Sequence, residues 1–265
     1  MPKSMAVGLS IVKQKRNPGN NSEEPKPMPE TRVHDQVFDK FNSFRRGIVV
    51  ASKMNNHGSA TPLESLLNDA LVNAAANPVD LTSDPRASAW TETYRVLGLN
   101  PKKYPPAHLA LLKRVQKLGA SIPFINKAVA IMNDNSIRGA LPVGGDDILR
   151  AGETLELRFA EGDENFTPLD DPEKTEHPDS GEIIYVVAET REVMCRRWNW
   201  RNGYQTRITE KTQVMVMNID GLGEESEKRA ISVRDRVARM LEQYCDAEVE
   251  TALLTPSEPY FRFHV

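Results

Sequence analysis

Between Thr61 and Met132 apolar residues recur at every third or fourth position, and beyond Pro142 they recur at every second one. The first spacing lines one face of a helix and the second lines one face of a strand. Helices gathered ahead of strands exclude an alternating strand–helix order with a parallel sheet. They predict a single α+β domain with helices packed on a mainly antiparallel sheet.

Local signals place the elements. Residues 44–51, rich in β-branched side chains and closed by Asn55-Asn56-His57-Gly58, predict a strand. Thr61-Pro62-Leu63-Glu64 predicts a helix start, with Thr61 as the cap, Pro62 in the first turn and Glu64 at capping-box spacing. That helix carries Leu63, Leu66, Leu67, Ala70 and Leu71 until Asn77-Pro78 stops it. A second helix is expected over 84–97, with Pro85 in its first turn. A third follows Pro105-Pro106 and places Leu109, Leu112, Val115 and Leu118 on one face. A fourth, shorter helix is expected from Pro123 or Phe124, carrying Ile125, Val129 and Met132. Strands are expected at 155–159, 182–187, 192–200, 214–219 and 248–254, with a helix over 232–244 ahead of the last. Residues 163–180, with four aspartates and three glutamates, form a long acidic connector.

The first 32 residues predict a flexible arm. Residues 13–32 are polar, hold Pro25, Pro27 and Pro29, and cannot bury enough surface to offset their ordering entropy. The folded domain is expected over 33–265. Lys+Arg of 34 against Asp+Glu of 37 gives a formal net charge of -3, which excludes attachment to nucleic acid by bulk charge. Any RNA contact must be local.

No run approaches ~18 apolar residues, so no membrane-spanning segment is predicted. Cys195 and Cys245 are too few for a disulfide framework, and no zinc-ligand spacing occurs. The opening residues lack a clean cleavage site for a secretory signal. A reduced, cytoplasmic setting with no metal and no cofactor is the expectation. His34, His57, His108, His177 and His264 are scattered and expected at the surface.

Two stretches are over-specified for packing. The first runs from Ile122-Pro123-Phe124-Ile125-Asn126 through Asn133-Asp134-Asn135-Ser136 to Pro142-Val143-Gly144-Gly145-Asp146-Asp147. Asparagine and serine weaken a helix by competing for backbone groups, and helical spacing puts Asn126 and Asn133 on one face. Gly144-Gly145 is expected to form a bend whose bare N–H groups can close on a carbonyl or carboxylate. A capped helix followed by a glycine turn accounts for the same pattern.

The second stretch is Cys195-Arg196-Arg197-Trp198-Asn199-Trp200-Arg201, followed by Thr206, Thr209 and Thr212. As a strand it puts Cys195, Arg197, Asn199 and Arg201 on one face and Arg196, Trp198 and Trp200 on the other. Arginine–tryptophan alternation suits phosphates and stacked bases. A tryptophan core face with arginines paired to the acidic connector is the competing account.

Together these segments, with Tyr94-Arg95, Asn100-Pro101-Lys102-Lys103-Tyr104 and Leu111-Leu112-Lys113-Arg114-Val115, resemble the tRNA-editing domain of the phenylalanyl-tRNA synthetase beta chain and its free-standing relatives. The likeness covers about residues 45–222. It implies an α+β fold with a deep pocket and hydrolysis of the ester joining a wrong amino acid to the tRNA 3′ end. The family usually carries histidine where this chain has Gly144, and commonly aspartate where it has Ala130. No acidic residue aligns with the one that selects tyrosine.

Three functions are consistent with these residues. In a trans-acting aminoacyl-tRNA deacylase, Gly144 and Gly145 N–H groups hold the developing oxyanion while Asn126, Asn133 and Thr206 orient the amino acid and a water. Asp147, Arg197, Asn199, Arg201 and Thr209 contact the substrate, with Arg197 and Arg201 on the 3′-terminal phosphates. The second function is a small-molecule enzyme or sensor taking a free amino acid or aminoacyl derivative in the same pocket. The third is a non-catalytic RNA-binding module resting on the arginine–tryptophan strand.

Overall fold

The computed structural model describes residues 28–117 and 119–265. In chain order the elements are β1 (Glu30–Val33), α1 (Asp35–Lys40), β2 (Arg45–Ser52), α2 (Thr61–Ala76), α3 (Pro85–Val96), α4 (Ala107–Val115), α5 (Lys127–Gly139), β3 (Val143–Asp147) and α6 (Ile148–Ala151). The chain continues through β4 (Thr154–Phe159), β5 (Ile183–Val187), β6 (Val193–Arg196), β7 (Arg201–Asn202), β8 (Met215–Gly221), α7 (Ser226–Cys245), β9 (Glu248–Leu254) and β10 (Tyr260–Arg262).

The α+β class holds, with two sheets in place of one. A six-stranded sheet has the order β10-β1-β4-β5-β6-β7, and a four-stranded sheet has the order β3-β8-β2-β9. Among the strand pairs of the described residues only β1 with β4 is parallel. Strand β1 starts ahead of the expected domain boundary at Val33. The rest of the expected arm, residues 1–27, lies outside the described residues, as does Leu118 of the third helix's apolar face.

Several boundaries move for local reasons. Thr61 is the first residue of α2, not its cap, and Ala60 before it offers no side-chain oxygen. Asp84 caps α3 by accepting the Arg86 N–H. Helix α5 begins at Lys127, later than Pro123 or Phe124, because Asn126 caps it, and it runs on to Gly139. Strands β1, β7 and β10 and helices α1 and α6 are too short to leave a periodic signal.

The four-stranded sheet has different surroundings on its two faces. A Cβ on Gly47 would meet Arg234 and Ala230 of α7, so the face carrying Gly47 and its partner Ile219 packs on that helix. Arg46, Asn218 and Asp220 lie on the opposite face, toward the six-stranded sheet.

There Trp198, fully buried, meets Trp90 of α3 at 5.2 Å, Phe44 at 5.0 Å and Phe41 at 5.2 Å between ring centres. Its indole N–H donates to Asp220 Oδ2 at 2.9 Å. Arg46 Nε donates to Asp220 Oδ1 at 3.1 Å, and the Tyr185 hydroxyl of β5 donates to Oδ2. One carboxylate therefore ties β2 and β8 to β5 and the β6–β7 turn.

Breaking a buried pair from one side leaves an uncompensated charge, which typically costs about 3–5 kcal/mol. Asp220→Ala should lose stability on that scale. Urea unfolding of the two proteins measures it, and a loss under about 1 kcal/mol would show Arg46 to be satisfied elsewhere.

Candidate active site

A cavity of about 650 Å³ opens beside β3, walled by α4, α5, β3 and the segment 199–210. Strand β3 is an edge strand paired only with β8, so one side of its backbone is free of the ladder. Gly144 and Gly145 thus sit in a strand, not in the expected bend, because β8 extends far enough to pair with both.

The register decides which glycine N–H is available. Asp220 N donates to Pro142 O at 3.1 Å, and hydrogen-bonded pairs alternate along an antiparallel ladder. Gly144, opposite Asn218, is therefore committed to β8, which removes its N–H as an oxyanion donor. Gly145, opposite Met217, turns its N–H to the free edge, as does Asp147, whose N–H donates to Thr206 O at 2.9 Å.

The missing side chains also differ. A Cβ on Gly144 meets nothing within 4 Å, whereas one on Gly145 would lie 2.9 Å from Val216 O and 2.9 Å from Met215 Cε.

Of the residues singled out in the sequence, Asn126, Asn133, Gly144, Gly145, Asn199 and Thr209 line this cavity. Asn126 is buried, and its Oδ1 accepts the Val129 N–H at 3.0 Å. Asn133, half-buried on α5, makes no side-chain hydrogen bond among the described residues, so its amide is free for a ligand. Asn199 is buried, with Oδ1 accepting from the Tyr94 hydroxyl at 3.2 Å and Nδ2 unpartnered.

Thr206, Asp147, Arg197 and Arg201 do not line the cavity. Thr206 is buried and acts on it indirectly, its Oγ1 donating to Asp146 Oδ1 at 2.6 Å. Asp147 faces away from Asp146, accepting the Leu149 N–H at 3.1 Å as the α6 cap and the Thr212 hydroxyl at 2.7 Å. It is a structural carboxylate rather than a substrate contact.

The arginine–tryptophan stretch departs furthest from its expected form. Arg197 and Trp198 take φ of 47° and 66°, in the left-handed region that side chains disfavour, so the strand breaks into a tight turn between β6 and β7. Face alternation ends there. Arg197 pairs with Glu182 at 3.1 Å and Asp179 at 3.2 Å, and Arg201 pairs with Asp170 at 2.6 Å and Glu176 at 3.3 Å. Both arginines are neutralised by the acidic connector and its end, so neither is free for phosphate. Trp198 cannot stack on a base from the core. Trp200 is covered by Tyr104 at 4.9 Å and by the Arg197 and Arg201 cations.

Three cavity residues were not singled out as its functional groups. Asp146 is half-buried, and burial pushes its carboxyl up to about 6 against the lowering effect of Thr206, with the Asp147 charge adding to the rise. Strand alternation puts it on the same face as Gly144, a signal hidden by the expectation of a bend. His108, expected at the surface, is 2% exposed, edge-on to Trp90 at 5.6 Å, and held neutral by burial, which lowers its pKa to about 3. Arg207 lies over the Tyr204 ring at 3.4 Å from its centroid and has no carboxylate partner among the described residues.

Among the described residues an acidic group outside the cavity, Glu161, Asp163 and Glu164, is bridged by Arg191. Cys195 and Cys245 are buried and unpaired, and burial raises both thiols. No helix of the described residues is long and apolar enough to cross a membrane.

The two glycines and the raised carboxyl each have a stability signature. Overpacking typically costs about 1–3 kcal/mol, so Gly145→Ala should fall in that range while Gly144→Ala stays within about 0.5 kcal/mol of the parent, both by urea unfolding. A carboxylate whose pKa is raised by folding carries no penalty below its unfolded pKa and the full penalty above the folded one. Asp146→Asn should therefore unfold at a higher temperature than the parent at pH 8, with the gain shrinking as pH falls through 6 and gone below the ordinary aspartate range. Equal melting shifts at both ends of that range would contradict the assignment.

Residues 89–254 match the family model of the B3/4 domain. No curated protein matches the chain. Among solved structures, an N-terminal fragment of the phenylalanyl-tRNA synthetase beta-subunit from Pyrococcus horikoshii is similar at 11% identity with a TM-score of 0.42. The match covers 83% of this chain and 49% of that one, so the chain spans about half the length of the fragment. Since the family match takes in more than half of the sequence, the chain belongs to the B3/4 domain family, the domain found in the phenylalanyl-tRNA synthetase beta subunit.

Proposed function

We propose that the protein is a trans-acting aminoacyl-tRNA deacylase that hydrolyses the ester of a mischarged tRNA. The observation that carries this reading is the convergence of Asn126, Asn133, the Gly145 N–H and the Asp146 carboxylate on one cavity. Its volume falls in the range of small-ligand sites, and its apolar wall of Leu111, Ile125, Val129 and Met132 suits an amino-acid side chain.

Ester hydrolysis needs a donor where negative charge develops, a water and a proton acceptor. The Gly145 N–H, with the free amide of Asn133, supplies the donors without reorganisation during the reaction. A carboxylate pushed up to about 6 is matched to accepting a proton near neutral pH. No cofactor enters this chemistry.

Contact with the tRNA 3′ end passes from Arg197 and Arg201 to Arg207. Its guanidinium spends one donor on Tyr204 O at 2.8 Å and keeps the rest at the cavity wall. A charge-assisted contact with a phosphate fits that geometry.

The carboxylate pairs on Arg197 and Arg201 favour one second reading, a site for a free amino acid or small aminoacyl derivative, since they remove the expected basic stripe. Incubating the full chain with a panel of mischarged tRNAs separates the two. Deacylation of at least one pairing is expected, with Arg207→Ala raising KM about ten-fold, the loss of one charged hydrogen bond. That variant should lower the salt-dependence slope by about 0.7. Failure to hydrolyse any pairing, together with amino-acid binding indifferent to salt, would leave the second reading.

A further inference from the structure

Behind Gly144, between the two sheets, a recess of about 40 Å³ shares Gly144, Asp146 and Asn199 with the cavity, and its wall also includes Asn218, Asp220, Tyr185 and Cys195. A volume of that size holds about one water. Two of its side chains are more than nine-tenths buried and carry an unpartnered polar atom: Asn199 Nδ2, a donor, and Asn218 Oδ1, an acceptor. Leaving such a group unsatisfied costs about 1–3 kcal/mol each, so the pair marks a place for a molecule that both accepts and donates. Asn218 stands directly across the ladder from Gly144, and the absent Cβ keeps the space over it open.

Of the remaining polar side chains of the recess, Asn202 is exposed and Asp220 and Tyr185 are committed to buried partners. Asp220 accepts from Arg46, Tyr185 and Trp198, and Tyr185 spends its hydroxyl proton there. Burial raises the Cys195 thiol, which leaves no thiolate to attack an ester. Asp146 lines both chambers, with one oxygen held by Thr206 and the other accepting no hydrogen bond among the described residues.

We propose that Asn199 and Asn218 hold the hydrolytic water in this recess and that Asp146 is the base that takes its proton. The inference rests on the deacylase reading. The water oxygen bonds to the ester carbonyl carbon as its proton passes to Asp146. The bond from that carbon to the ribose oxygen then breaks, the ribose oxygen receives the proton from Asp146, and free tRNA and amino acid leave. Thr206 is a positioning residue, fixing one carboxylate oxygen so that the other faces the water.

The charged and titratable groups around Asp146 are Asp147 on its own strand, Asp220 on β8, Cys195 on β6, Tyr185 on β5, His108 on α4, and Arg207 and Glu210 at the cavity wall. Burial outweighs them and sets the ionisation near pH 6.

The test compares the full-length chain with Asp146→Asn, Asn218→Leu and Gly144→Ala on a mischarged tRNA that the wild type hydrolyses, recording kcat, KM and the pH profile. Gly144→Ala places a methyl group in the recess without a clash in the sheet, so it reports on the water where Asn218→Leu disturbs folding. Each variant should lose roughly 100-fold in kcat with KM within about two-fold, and Asp146→Asn should lose the ascending limb near pH 6. Retention of that limb by Asp146→Asn, or of kcat within about two-fold by folded Asn218→Leu and Gly144→Ala, overturns the assignment while deacylation by the wild type stands. A wild-type chain that cleaves no mischarged tRNA overturns the deacylase reading and this inference with it.

Discussion

The arrangement depends on one carboxylate between two sheets. Asp220 is 1% exposed and Arg46 is equally buried, so neither charge is solvated. Taking an ion out of water costs several kcal/mol even after relaxation, and the pair is tolerable only with its partners in place. Tyr185 and Trp198 fill the second oxygen, and the Arg46 guanidinium also lies over the Tyr185 ring at 4.5 Å from its centroid. Each partner comes from a different segment, which fixes the spacing of the sheets and the height at which Asn218, one side-chain step along β8, faces the recess.

The same demand explains the strained turn. Trp198 reaches Asp220 only if the chain leaves β6 at Arg197, and both residues then adopt left-handed backbone angles. Such conformations persist where the surroundings over-determine them. Here the surroundings are three aromatic rings around Trp198 and two carboxylates on Arg197. The turn delivers Asn199 to the cavity, where Tyr94 donates to the Arg197 carbonyl and to the Asn199 amide oxygen. The acidic connector, with Glu182 just beyond it, is thus part of the scaffold: Glu176 and Glu182 hold Arg196, Asp179 holds Arg197 and Asp170 holds Arg201.

Long periodic elements were legible in the sequence, and residues at element ends were not. Helices α2 and α3 and strand β9 lie where spacing and stop signals put them, since each signal is local. The second sheet was invisible because it is made by pairings between segments far apart in sequence, such as β2 with β8 and β9. Gly144-Gly145 read as a bend because glycine is permissive, yet only the presence of β8 decides between a bend and an edge strand. His108 read as a surface residue on a helix start, and its burial comes from α4 packing beside Trp90, which no local pattern encodes. The arginines of the 195–201 stretch carried two accounts, and the acidic connector decides between them.

Asp146 and Asp147 show how adjacent identical residues come to differ. In a strand they point to opposite faces. Asp147 meets the start of α6 and Thr212 and is occupied by both, so its charge serves the join between β3 and α6. Asp146 meets one hydroxyl and a cavity, and burial acts on it without a cation to compensate. Nearby Asp220 shows the alternative, a carboxylate with Arg46 beside it and both oxygens filled. A protein selected for stability alone would give Asp146 a similar cation or replace it. An uncompensated acid beside two buried amides with unpartnered atoms is a combination that packing does not require and that suits the proposed hydrolysis.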